Sequence, residues 1–423
     1  MIGLRLKELL KNEPVAITGI GVVCPAGDSP VRLWESVTNA RAFGEWLNFA
    51  NHKFPVCAVH SPNIDTKETN VRQRKYDRSV NLAIYAAKSA LIDAGALKET
   101  GKVDVSSKKC IGVIAGTSRG AIGRMSDLFN LNPLKIPPSF SPNTSVAALS
   151  GALVKEFGFN GFSLTVSANC ASSAFAIALG AKEVALGTVD AMLVGGAESP
   201  LCPAILGPMS NAGILGSGEA PDAVCRPFDI SRNGTIIGEG AAFLYIERLE
   251  QALSRGAKIY GTICGWETGV EPDSGSVSVE QTGESMATVI QRALELADIS
   301  CNEVSFISAH GTGTRLNDLA ESRAVNLVFG EQTPPVFSIK AVTGHCLGAS
   351  SAIESLVSII ALNKSLIPPT TNCFQKDPAC KIKVVVNKPQ NIGSPNYALV
   401  ISSGFWGYQS AIVYNRFEPN TDF

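Results

Sequence analysis

Residues 162–187, "FSLTVSANCASSAFAIALGAKEVALG", read as a strand, a turn and a helix in succession. The apolar, β-prone "FSLTVS" is strand-like, and "ASSAFAIALGAKEVALG" is helical, with Gly187 as its stop signal. Cys170 falls at the turn, close to the first turn of the helix. Unsatisfied backbone N–H groups and the positive end of the helix dipole favour a thiolate there. A free thiol titrates at about 8.5, so a downward shift of roughly 1.5 units would leave it half ionised at pH 7. Small neighbours, Ala168, Ala171, Ser172 and Ser173, leave room for a substrate to approach. A buried helix-start cysteine with close helix packing fits the same letters, and this segment alone leaves both readings open.

Strand–helix alternation continues outward in both directions. Strand-like runs occur at 14–23 ("PVAITGIGVV"), 108–117 ("KKCIGVIAGT"), 189–199 ("VDAMLVGGAES") and 241–250 ("AAFLYIERLE"). Helical stretches occur at 78–97 and 283–299. This pattern predicts an α/β fold. A weak internal repeat accompanies it: "KSALIDAG" at 88–95 matches "QRALELAD" at 291–298. Each precedes a strand ending in a Gly-Thr turn, "GVIAGTSRG" at 112–120 and "SFISAHGTGT" at 305–314, so that Thr117 and Thr312 correspond. The repeat predicts two similar halves joined near residue 255, packed as one body because no Pro- or Ser-rich linker divides them. The polar stretch 268–282 reads as a long surface loop, and 368–378 as another irregular connection.

Composition narrows the function classes. With 423 residues, 45% hydrophobic and 17% charged, the chain is long and apolar enough for a large core. A formal net charge of -1 gives no global attraction to nucleic acid or membrane. No run reaches the roughly 18 apolar residues of a membrane helix. The first residues, "MIGLRLKELLKNEP", have no apolar core of a secretory signal. Eleven cysteines, irregularly spaced and without a CxxC pair, argue against a disulfide framework or structural zinc and for a reducing, cytoplasmic setting. Most of them, Cys110 and Cys264 among them, are expected to be inert core residues.

Only four histidines occur, so their settings carry information. His52 and His60 lie in polar, irregular sequence. His310 ends a strand in "SAHGTGTRLNDLAE", and His345 lies in "SIKAVTGHCLGASSAIE" before a Gly/Ala/Ser-rich helix start. Glycines at both places would expose the imidazole, although packing could place a histidine there too. Lys340 and Glu354 flank the second segment, as a partly buried ion pair or as separate solvated charges. In "SSGFWGYQSAIVY" at 402–414, Gly404 and Gly407 bracket Phe405 and Trp406, as an aromatic gate or as a plain hairpin turn. A cysteine with histidines admits three chemistries. A cysteine peptidase needs one Cys–His pair and an orienting Asn or Asp. A metal site is disfavoured, because no second ligand stands at i+3 or i+4. Acyl transfer can use two histidines.

The order of "SANCASSAF", "RPFDISRNGTIIGEGAA", "AHGTGTRLNDLAE", "KAVTGHCLGA" and "SGFWG" resembles the β-ketoacyl-acyl-carrier-protein synthases, specifically the elongating Cys-His-His type. The resemblance runs from 19–34 to 411–414. It implies a thiolase-like fold of two similar halves in five layers, α-β-α-β-α. The first half, 1–255, would carry the nucleophilic cysteine; the second, 256–423, the two histidines and the gating loop. Cys170 looks like the nucleophile that takes an acyl chain from a carrier protein's phosphopantetheine arm, with no bound cofactor or metal. His310 and His345 look like the pair that supports malonyl decarboxylation. Lys340 looks like the organising charge, supported by Glu354 and Asp318. The backbone N–H groups of Cys170 and Phe405 look like the oxyanion hole, and Phe405 the gate. The implied partners are an acyl carrier protein and a second subunit, most simply a homodimer, with a heterodimer of sister subunits as the variant. "RQRKYDR" at 72–78, with Arg72, Arg74 and Lys75, is the expected docking patch for the acidic carrier; a solvated helix start is the plain reading. Membrane and nucleic-acid partners are not implied. A rival reading is a catalytically silent partner that sets chain length, though such partners typically lack the nucleophile.

The sequence departs from the family pattern at Asn169 (usually small), at Thr235 (often aromatic), at "GVEPDSGS" (which replaces an Asp-Ala-x-His stretch) and at Trp406, Tyr408 and Gln409. These cluster at the expected acyl pocket and gate, and they widen the reading from fatty-acid to polyketide or polyene synthesis.

Overall fold

The computed structural model describes residues 2–61, 64, 76–105, 109–128, 135–272, 275–277 and 279–418. Strand Val15–Val23 is buried along its whole length, as a continuous apolar run covered on both faces should be. Gly19 makes this possible on one face: a Cβ there would collide with the carbonyl oxygen of Ala90 and with Ala94. Helix Arg78–Asp93 therefore lies directly on the strand backbone.

The same device recurs in the second half. A Cβ on Gly265, in strand Gly261–Val270, would collide with the carbonyl oxygen of Ala293 and with Ala297, at the end of helix Glu284–Ala297. The two alanine pairs lie in the two repeated sequence stretches.

Topology repeats as well. Outward from the centre, the first half runs Val15–Val23, Gly240–Arg248, Ala191–Glu198, Ile111–Gly116, Ser163–Val166. The second half runs Gly261–Val270, Tyr408–Asn415, Tyr397–Ser403, Val304–Ser308, Pro335–Phe337, with Lys383–Val384 added at the rim. In both, the first two pairings are antiparallel and the next two parallel. The halves join where Val15–Ile17 pairs antiparallel with Gly261–Ile263, giving an eleven-stranded sheet.

Helices Ser172–Ala185 and Ser350–Lys364 pack against each other and touch strands of both halves, forming the central layer. Every residue from Ser350 to Leu362 is buried. The outer layers are Arg78–Asp93 with Ala148–Phe157 on one side, and Glu284–Ala297 with Arg315–Phe329 on the other. The expected five-layer α/β arrangement is present.

Two details differ from the sequence reading. The residue after Ile111–Gly116 is Thr117, whose N–H donates to Val166; in the second half the equivalent donor is Ala309, to Phe337. The structural counterpart of Thr117 is thus Ala309, and Thr312 lies further along a longer turn. The polar stretch 268–282 is not all loop: strand Gly261–Val270 enters it, and Val277 and Val279 line the cavity that Cys170 also lines. The first residues form a helix, Ile2–Asn12, docked by buried Leu10 and a Lys7–Asp298 ion pair of 2.8 Å. No helix among the described residues is long and apolar enough to cross a membrane, and all eleven cysteines are unpaired.

Candidate active site

After strand Ser163–Val166 the chain turns sharply. Asn169 adopts φ +49, and the N–H groups of Ala171 and Ser172 close on the carbonyls of Ala168 and Asn169. The Ser172 hydroxyl accepts from the Ala168 N–H at 2.9 Å and donates to the Asn169 carbonyl at 2.6 Å, bracing the turn. The helix begins at Ser172, so Cys170 precedes it by two residues.

The small residues around Cys170 are all buried. A Cβ on Gly116 would collide with the backbone of Ser172 and Ser173, so their small size serves close packing of helix on strand. Cys170, His310 and His345 together line a cavity of about 420 Å³. Its apolar wall includes Met209, Ile214 and Ile237.

Cys170 is only 4% exposed. Burial pushes its thiol up to about 12, against the opposing pull of Lys340, Arg119 and the backbone N–H of Phe405. The direction is opposite to the lowering expected at a helix start: desolvation of the thiolate outweighs the nearby positive charges and the Phe405 N–H. The resting group is a thiol.

His345 Nε2 lies 3.2 Å from Cys170 Sγ, and its Nδ1 lies 3.0 Å from the Ser350 hydroxyl. The His310 and His345 rings meet edge-on, 83° apart, with centroids 5.2 Å apart. Behind His310, Lys340 approaches Nδ1 at 3.3 Å, donates to the His310 carbonyl and pairs with Glu354. An ammonium donating to Nδ1 leaves the imidazole proton on Nε2. Burial first, then the Lys340 charge, hold both histidines well below 6.5; for His310 the second histidine adds to this. Both rings are therefore neutral at pH 7.

Lys340 and Glu354 are both buried, so the ion-pair reading of these two charges is the one the structure shows. Lys340 opens the short helix Lys340–Thr343, and Glu354 lies in the first turns of helix Ser350–Lys364. Asp318 is buried and accepts from the N–H groups of Phe228 (2.8 Å) and Gly313 (3.2 Å). It thereby fixes the turn that carries His310.

Two carboxylates escaped the sequence reading. Glu321, one turn beyond Asp318 on helix Arg315–Phe329, accepts from the N–H groups of His310 and Gly311. Burial pushes it up to about 8 while those donors pull it down. Glu198 ends the fully buried strand Ala191–Glu198 and accepts from Ser118 (2.6 Å), Arg119 (3.0 Å) and Gly348 (3.1 Å). It ties the turn after Ile111–Gly116 to the loop carrying His345. The available signals were an i, i+3 acidic pair after "HGTGT" and a charge closing an apolar strand.

Of the remaining assigned residues, Phe405 lines the cavity and directs its N–H at the Cys170 sulfur. Thr235 is a buried part of the cavity wall. Trp406 does not belong to the pocket: it is 62% exposed, sits at φ +62 and is absent from the wall. The left-handed backbone turns it away from its neighbour Phe405. Arg72, Arg74 and Lys75 lie outside the described residues. Two departures from the family pattern contact each other: Gln409 donates to Glu271, which stands within "GVEPDSGS". Tyr408 packs edge-on against Phe175, with centroids 5.8 Å apart. Among the described residues no cluster of His, Cys, Asp and Glu could hold a metal.

Residues 12–252 match the N-terminal domain model of the β-ketoacyl synthases and 260–374 the C-terminal domain model. The chain is 30% identical to 3-oxoacyl-[acyl-carrier-protein] synthase 2 of Staphylococcus aureus (strain COL), covering 96% of this chain and 99% of that one. It is also 30% identical to putative polyketide beta-ketoacyl synthase 1 of Streptomyces halstedii, covering 94% and 97%. Among solved structures, it superimposes with TM-score 0.87 at 29% identity on a type II polyketide ketosynthase complexed with its acyl-carrier protein and bound to the hexaketide (96% and 100% covered). The ishigamide ketosynthase/chain length factor gives TM-score 0.85 at 27% identity, with the same coverage. With both domain models in sequence order on a thiolase-like fold, the chain belongs to the β-ketoacyl synthase family and is an acyltransferase that makes 3-oxoacyl chains on acyl carrier protein.

Proposed function

We propose that Cys170 carries the growing acyl chain and that His310 and His345 drive the decarboxylation. In the first half-reaction His345 Nε2 takes the Cys170 proton as Sγ attacks the carrier-bound acyl thioester. The oxyanion forms against the N–H groups of Cys170 and Phe405. The pantetheine sulfur leaves and takes the proton from His345. In the second half-reaction His345 carries its proton on Nε2, with Nδ1 accepting from the Ser350 hydroxyl, a tautomer shift from the Nδ1–H form that served as base. The malonyl thioester loses CO₂, and its enolate oxygen accepts Nε2–H bonds from both neutral imidazoles. Each such donor contributes about 3 kcal/mol by analogy with oxyanion-hole deletions. The enolate carbon attacks the Cys170 thioester, the 3-oxoacyl chain leaves on the carrier, and the Cys170 thiolate takes up one proton.

The observation that carries this reading is the 3.2 Å Sγ–Nε2 contact beside a second neutral imidazole on one cavity wall. The complete Cys–His–His–Lys set counts against the silent chain-length partner. The test is intact mass after mixing with acyl-carrier proteins from C2 to C16, followed by malonyl-carrier protein. One acyl adduct on Cys170 and a 3-oxoacyl product are expected; no adduct with any chain would favour the silent partner. The panel also reads the chain preference.

The division at 255/256 is part of this proposal, supported by the repeated strand order and by the gap between the two model matches. So is a reducing, cytoplasmic compartment, which suits eleven unpaired thiols. A second copy is the proposed dimer partner. Strand Ser163–Val166 ends the sheet with one free edge, and Phe162 (48% exposed) and Leu164 (39% exposed) stand beside it. Native mass reads the dimer, and a persistent monomer would exclude it.

A further inference from the structure

The left-handed backbone of Asn169 (φ +49) needs a residue such as Gly or Asn. Glycine would satisfy the backbone, but the Asn169 side chain adds something glycine cannot. Its Nδ2 donates to the Phe405 carbonyl at 3.1 Å, across 236 residues of sequence. The N–H of the same Phe405 faces the Cys170 sulfur. The loop and the turn also touch directly: a Cβ on Gly404 would stand 3.0 Å from the Cys170 nitrogen and 3.3 Å from the Asn169 Cβ. Among the described residues the other backbone bonds of the loop run through its neighbours: Gly404 N–H to Tyr408 (2.7 Å), Trp406 N–H to Ser276 (3.2 Å) and Glu271 N–H to Gly407 (2.9 Å). Asn169 thus grips the residue whose N–H matters, from within the nucleophile's own turn.

We propose that Asn169 is a positioning residue for the acyl-transfer half-reaction: its amide holds the Phe405 carbonyl so that the Phe405 N–H stands where the thioester oxyanion forms. This rests on the roles given under Proposed function. The decarboxylating pair is held by a separate set, Lys340, Glu321 and Ser350, so the two half-reactions respond differently to loss of the amide.

Asn169→Gly keeps the left-handed backbone and removes the amide. The rate of Cys170 acylation, followed by mass in a single turnover, is expected to fall about tenfold, the upper range for one neutral hydrogen bond. Primer-free decarboxylation of malonyl-carrier protein is expected to change less than twofold. Asn169→Asp places a carboxylate against the Phe405 carbonyl. Its acylation rate at pH 7.5 is expected below that of Asn169→Gly, and to recover relative to Asn169→Gly as pH falls and the protonated carboxyl becomes a donor. A general packing defect would slow both half-reactions and show no such recovery. Acylation of Asn169→Gly at the wild-type rate, or an equal fall in both half-reactions, overturns the proposal while leaving the catalytic roles standing. Failure of the wild type to acylate at all overturns both.

Discussion

Cys170→Ala is expected to abolish condensation, by about 10⁴-fold or more, while primer-free decarboxylation of malonyl-carrier protein persists. The expected asymmetry follows from the geometry. Cys170 Sγ faces His345 Nε2 at 3.2 Å. The other cavity-lining members of the set, His310 and His345, need no sulfur to receive an enolate oxygen. Loss of Sγ leaves a small void in a packed turn, costing about 1 kcal/mol, too little to unfold a chain of this size. Acylation by intact mass, product formation and CO₂ release would be followed on the same sample. Condensation at the wild-type rate would refute the mechanism. Loss of both reactions with an unchanged melting temperature would show that the sulfur also takes part in decarboxylation.

Much of the fold was legible because close packing leaves a local trace. Helices Arg78–Asp93 and Glu284–Ala297 lie on glycine-bearing strands, and such contact demands alanine at the meeting points. Ala90, Ala94, Ala293 and Ala297 therefore repeat in sequence, and the halves could be matched. The turns beyond the strands obey no such rule, so Thr117 was aligned with Thr312 instead of Ala309. At the site, Cys170, His310 and His345 were legible from their glycine- and small-residue-rich turns and from the order of family motifs. The meaning of those small residues was not. Ser172 and Ser173 fill a tight helix–strand contact, which only the tertiary partner, Gly116, reveals. The direction of the Cys170 shift was misread for a related reason: a helix start is visible in sequence, while burial is not. Glu198 and Glu321 stayed hidden because they act on backbone N–H groups, which no side-chain pattern reports.

Lys340→Met is expected to damage stability and chemistry separately, and a second substitution should repair only the first. Lys340 is fully buried and paired with an equally buried Glu354, whose Oε2 has no hydrogen-bond partner. Removing the ammonium leaves a carboxylate in the core without a counter-charge, a change that costs about 3–5 kcal/mol. At the per-residue unfolding entropy of globular proteins, that lowers Tm by about 3–6 °C for a chain of this length. Glu354 is already pushed up by burial and pulled down by Lys340; without Lys340 it moves further up. A carboxyl with a raised folded pKa contributes stability below its unfolded value and loses it as pH rises through the folded value. The Tm deficit of Lys340→Met should therefore be smallest near pH 5 and largest near pH 8. Adding Glu354→Gln should recover most of it. Catalysis should not recover. Without the ammonium at 3.3 Å, nothing fixes the His310 proton on Nε2, and decarboxylation is expected to fall about 100-fold. The profile should change too. The wild type is expected to be flat from pH 8 to pH 6, because both histidines are held well below 6.5. Lys340 supplies the lesser part of that depression and burial the greater, so in the variant both values rise but stay below 6.5, and the acid limb moves to higher pH than in the wild type. A double variant that regained stability together with wild-type decarboxylation would reduce Lys340 to a structural charge; stability without rate would place its function at the His310 ring.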